Sequence, residues 1–137
     1  MKGKFFPVLA VSAALLAVTL PLAAHHSFAA EYDDNKPVTL TGTVTKLEWM
    51  NPHAHFYLDI KDKETGAVKN WEFEVAALNA LIRRGWTRNS LKPGDVVTVE
   101  GFLAKDGSAL VNAKTVTMSD GRKIFAGSAA TEGGPTK

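Results

Sequence analysis

The chain has 137 residues, 16 Lys and Arg against 14 Asp and Glu, a formal net charge of +2, and no cysteine. That length suits one domain with its own core and no second one, and a cysteine-free chain makes neither disulfides nor thiolate metal sites. The basic surplus is local: taking Lys2 and Lys4 from the 16 basic residues leaves 14 against 14 acids, so the remainder lacks the basic face that phosphate binding requires, and nucleic acid is not an expected partner.

Residues 1–24 have the organisation of a secretory signal peptide. Lys2 and Lys4 form its positive start, Phe5 to Leu20 is an apolar run broken only by Pro7, Ser12 and Thr19, and Leu22-Ala23-Ala24 presents small residues for cleavage before His25. Cuts after Ala29 or Ala30 are the competing choices. The run is shorter than the ~20 residues a membrane anchor needs and ends at Pro21. The expected product is periplasmic or secreted, without a membrane span.

Residues 25–37 are polar and read as an N-terminal linker. From Val38 the pattern has period two, with Val38, Leu40, Gly42 and Val44 against Thr39, Thr41, Thr43 and Thr45, which predicts a strand over 38–49. Leu47 and Trp49 fall on the opposite parity, so a bulge is expected near Lys46. Met50-Asn51-Pro52 is a turn. Strands over 54–61 and 69–76 form a hairpin in which Phe56, Leu58, Ile60, Trp71, Phe73 and Val75 face the core. The period then changes: Leu78, Leu81 and Ile82 have helical spacing, and Gly85 ends a helix predicted over 77–84. Leu91-Lys92-Pro93-Gly94-Asp95 turns the chain into a second hairpin, with strands over 95–104 and 109–118 joined at Lys105-Asp106-Gly107-Ser108. Residues 126–137 are small and polar and read as a disordered tail.

Three strands, a helix and two strands match a mainly β fold, a small five-stranded barrel of the OB type over 38–125 with one short helix between strands three and four. A sandwich or an α+β roll is the competing arrangement.

The four histidines occupy two places, His25-His26 and His53-x-His55. Residues two apart on a strand share a face, so His53 and His55 project together with Cα atoms roughly 6.5 Å apart. Neutral imidazole suits copper and zinc, copper first, and Met50 could add a thioether. His25, His26, His53 and His55 are therefore the candidate metal ligands; the bland alternative is a processing site and a hydrogen-bonded corner. If cleavage frees the amine of His25, that terminus with one more imidazole resembles the histidine brace of copper monooxygenases and some periplasmic copper carriers. Ser27 excludes the amino-terminal copper site that needs histidine in third position.

No nucleophile and base pair stands out, so the reading leans away from an enzyme and assigns no catalytic residue. Glu31, Asp33, Asp34, Glu72 and Glu74 read as solvated carboxylates. Trp86 and Arg88, with the basic run Arg83, Arg84 and Lys92, offer a second surface for an envelope protein or an anionic ligand, which defines the alternative of a non-catalytic interaction module. The segments Ala24-His25-His26-Ser27-Phe28-Ala29-Ala30-Glu31-Tyr32-Asp33, Gly42-x-Val44, Trp49-x-Asn51-Pro52-His53-x-His55, Gly85-Trp86-x-Arg88 and Leu91-Lys92-Pro93-Gly94-Asp95 resemble an exported bacterial family, domain of unknown function 6152. The resemblance spans nearly all of the chain after the signal, and it implies a small exported β-barrel and no particular activity.

Overall fold

The computed structural model describes residues 28–127. Residues 1–24, expected as a signal peptide, His25, His26 and the expected tail beyond residue 127 lie outside the described residues. The elements are α1 (Phe28–Glu31), β1 (Tyr32–Glu48), β2 (His55–Lys61), β3 (Val68–Glu74), α2 (Leu78–Arg83), β4 (Val96–Ala104), β5 (Leu110–Met118) and β6 (Lys123–Phe125). The sheet order is β3-β2-β1-β4-β5-β6, and a parallel pairing of β3 with β5 closes the first five strands into a barrel. With α2 between β3 and β4, this is the expected OB-like arrangement. None of the helices among the described residues is long and apolar enough to cross a membrane.

The period-two pattern explains the barrel. Val44, Phe56, Leu58, Phe73, Val75, Val97, Val99, Val111 and Val116 are all buried, and Phe56 stacks on Phe73 with centroids 5.0 Å apart. β1 pairs with β2 on one side and β4 on the other. Its register slips between Val44 and Lys46, the position the parity change predicts, and the slip returns Leu47 to the core. Where β4 bends towards β5, a side chain at Gly101 would meet the Asn112 carbonyl at 2.2 Å and Val111 Cγ1 at 2.7 Å, so only a bare Cα fits. Leu81 of α2, together with Trp86 and Leu91, plugs the barrel end near Ala54 and Ala76.

Two features differ from the sequence reading. Residues 28–37, read as linker, form α1 and the first third of β1, because Tyr32 is buried at 2% exposure and pairs with Ala104. A sixth strand, Lys123–Phe125, adds to β5 and is followed by Ala126, buried at 0%, whose N–H bonds the Lys114 carbonyl.

Gly101→Ala is expected to destabilise the protein by about 1–3 kcal/mol, since the added methyl overlaps backbone that cannot move without opening the β4–β5 pairing. Urea unfolding measures this, and an unchanged midpoint would contradict the packing described.

Candidate functional site

The outward residues of three strands converge beside the plugged end. His55 and Tyr57 of β2 pair with Glu74 and Glu72 of β3, and with Glu48 and Lys46 of β1. Their inward neighbours Phe56 and Phe73 are fully buried, so the polar side chains stand on a rigid support. His53 precedes β2, yet Ala54 still pairs with Val75 and Ala76, which carries the hairpin register on to His53. Both histidines thus lie on the carboxylate-bearing face, as the i, i+2 spacing requires.

Each imidazole uses Nδ1 towards the protein. His53 Nδ1 is 3.0 Å from the Val75 carbonyl and 3.6 Å from Glu74 Oε1. A carbonyl only accepts, so Nδ1 carries a proton, and in the neutral ring Nε2 is then the nitrogen with the lone pair. His55 Nδ1 lies 2.8 Å from Glu72 Oε1 and is buried, but the angle is wrong for an aligned hydrogen bond, and the atom has no other partner. The contact is electrostatic, and it too favours a proton on Nδ1. Neither Nε2 bonds another described residue.

Tyr57 donates to Glu48 Oε2 at 3.1 Å and lies 3.3 Å from Glu72 Oε1, so its single proton is shared between two carboxylates. Burial, then the bond to Glu48, pushes its phenol up to about 12. Lys46, hydrogen-bonded to Glu48, and Tyr57 hold the Glu48 carboxyl below its usual range.

The other arm of the network reaches the start of the described chain. The Tyr32 hydroxyl donates to Glu74 Oε2 at 2.6 Å across 42 residues of sequence. Burial and this bond raise the Tyr32 phenol far above its ordinary value. Phe28 stacks on Tyr32 at 5.6 Å and meets Phe102 edge-on at 5.5 Å, while the Lys105 N–H bonds the Glu31 carbonyl. Beneath lies Asn112, paired in register with both Phe102 and Glu74 and 3% exposed, its Oδ1 without a partner. The segment that follows His25 and His26 is therefore clasped to the outer face beside Glu74. Tyr32 had no sequence signal beyond being an aromatic in a polar stretch.

The remaining candidates are elsewhere. Met50 is 48% exposed in the β1–β2 connection, and Arg88 is exposed beyond α2. Trp86, read as a ligand contact, is 3% exposed and gives its indole N–H to the Phe125 carbonyl at 3.0 Å, so its main role is packing. Among the described residues no three His, Asp or Glu side chains gather to hold a metal ion.

The model of a family of unknown function, DUF6152, matches residues 13–112. The chain belongs to this family. The matched span runs from residue 13 through the outer-face network to Asn112, so it contains all four histidines and both glutamates of β3. No curated protein matches the chain. Among solved structures it is similar to the mitochondrial single-stranded DNA binding protein Rim1 from S. cerevisiae, with 10% identity and a TM-score of 0.48, covering 61% of this chain and 93% of that one.

The chain has 2 tyrosines, Tyr32 and Tyr57, both with raised phenols. Absorbance at 295 nm should therefore show almost no phenolate in folded protein at pH 10, and Tyr32→Phe should leave one step near 12. A phenol held above its ordinary value of 10.0 stabilises the fold below that pH, and this contribution is lost as pH rises towards about 12. A normal tyrosine titration in folded protein would contradict the network.

Proposed function

We propose that the protein is an exported carrier of a transition metal, copper before zinc, bound by imidazoles of the outer face together with histidines at the start of the mature chain. The observation that carries this reading is the shared Nδ1 engagement of His53 and His55. Histidines that ligate metals usually give their second ring nitrogen to a carbonyl or carboxylate, which fixes the ring and makes the free nitrogen more basic. His53 against the Val75 carbonyl has that relation, and His55 Nδ1 lies against Glu72 without an aligned hydrogen bond; in each ring Nε2 is left as the donor. Negative charge from Glu72 and Glu74 behind the rings favours a divalent cation.

Two imidazoles make an incomplete ligand set, and His25 and His26 are the natural supplement. Two residues, His26 and Ser27, separate His25 from Phe28, so the span is at most about 11 Å. Phe28 in turn is stacked on Tyr32, whose hydroxyl meets Glu74, so the reach required is short. The ligand set of this proposal is His25, His26, His53 and His55, with exposed Met50 as a thioether for Cu(I). Cleavage before His25 would free an α-amine of pKa about 7.7–8.0, which a metal can deprotonate near neutral pH. The protein acts in this reading by binding, without turnover.

Calorimetric titration with Cu(II) tests the reading on protein that begins at His25. One extra Ala in front of His25, His25→Ala, and the pair His53→Ala with His55→Ala should each weaken binding by roughly tenfold or more. Equal affinities across the set would remove the terminal amine and the outer-face rings from the ligand set. Absence of binding would leave the alternative of an interaction module, for which exposed Met50 and Arg88 remain available.

A further inference from the structure

At the end of β2 away from His55, the turn of the β2–β3 hairpin forms one side of an open cavity of about 500 Å³, lined by Leu40, Ile60, Trp71, Lys61, Lys63 and Lys69 among others. We propose that this cavity binds a small aromatic carboxylate, its ring on the apolar floor and its charge on the lysines. The site is separate from the proposed metal ligands and does not rest on them.

The floor follows from the barrel's parity. Leu40 of β1, Ile60 of β2 and Trp71 of β3 are partly buried, packed against the core on one side and uncovered on the other. The wall is cationic. Lys61 and Lys63 make no ion pair among the described residues, and the Lys69 ammonium is held 5.5 Å from the centre of the Trp71 ring. Of the two acids on the same turn, Glu64 is exposed and is not part of the cavity lining, while Asp62 is committed to the backbone: its Oδ1 accepts from the Thr65 N–H at 2.7 Å and the Glu64 N–H at 2.9 Å, which holds its carboxyl below the usual range.

Among the lining residues three cations stand against one engaged carboxylate, and with Glu64 of the same turn counted a surplus of one positive charge remains, for which an anion is the complement. The volume lies in the range of small-molecule sites, and apolar floors with a few convergent polar groups are their usual chemistry. The cavity is an open depression and not a tunnel, so a flat ring resting beside Trp71 suits it better than an acyl chain. Lys69, already over the indole, would then contact both the ring and the carboxylate. Single-stranded nucleic acid needs a basic track along several nucleotides, whereas here the surplus is confined to one hairpin end.

The test uses 2-naphthoate as the probe, titrated into the chain from His25 to Lys137 and followed by amide chemical shifts. Saturable shifts confined to residues 39–41 and 60–71 are expected. Lys63→Glu and Lys69→Glu, both at exposed positions that fold without them, should each weaken binding about tenfold, and uncharged 2-naphthamide should bind weaker than naphthoate by a similar factor. Lack of saturation at millimolar naphthoate would overturn the proposal. So would equal affinity for the amide, affinities unchanged by both charge reversals, or tighter binding of oligothymidylate to the same residues.

Discussion

The Tyr32 hydroxyl gives its proton to Glu74 at 2.6 Å, and this bond ties the first described strand residue to the strand that closes the barrel. Removing a phenol and a carboxylate from water is costly unless each satisfies the other, and a hydrogen bond to an ionised acceptor is among the stronger ones a fold can make. Once formed, it fixes much else. It gives Phe28 an aromatic surface between Tyr32 and Phe102, and engages one oxygen of Glu74 while the other faces His53. The start of the described chain and the outer-face histidines become neighbours through a single side-chain pair.

The same face shows how a barrel can hold charge without losing its core. The network residues of β2 and β3 flank inward neighbours that are fully buried: Phe56 lies between His55 and Tyr57, and Phe73 between Glu72 and Glu74. Packing fixes the backbone, and the fixed backbone sets the distances between acids and bases. Two carboxylates share the Tyr57 proton, and one histidine faces each carboxylate of β3. His55 is the least settled member. Its buried Nδ1 is close to Glu72 but poorly aligned, so the ring would gain from a partner at Nε2 that turned it.

Much of the barrel was legible in the sequence because period-two alternation reports burial directly. Phe56, Leu58 and Phe73 are inside as the pattern requires, the parity change at Leu47 marks the bulge, and the helical spacing of Leu78, Leu81 and Ile82 marks α2. What escaped depends on contacts distant in sequence. The stretch Asp33-Asp34-Asn35-Lys36-Pro37 has the composition of a linker, and only the pairing of Tyr32 with Ala104 and its bond to Glu74 make it structure. Glu72 and Glu74 looked like a solvated strand face, since no local pattern shows that Tyr57, His55 and Tyr32 converge on them. Trp86 stood out as a large aromatic next to arginines, yet it is anchored by a strand nearly forty residues later. The histidine pair was visible as spacing, but the orientation of its rings came from Val75 and Glu72, on the facing strand.

If the Tyr32 to Glu74 bond is what attaches the start of the described chain to the histidine face, the two residues must be energetically coupled. A double-mutant cycle with Tyr32→Phe, Glu74→Gln and the double variant, read by urea unfolding at neutral pH, measures that coupling. A coupling of about 1–3 kcal/mol is expected for a buried bond to a carboxylate. Additive effects, with no coupling beyond error, would mean that the segment is held by aromatic packing alone and that the bond does not organise this face.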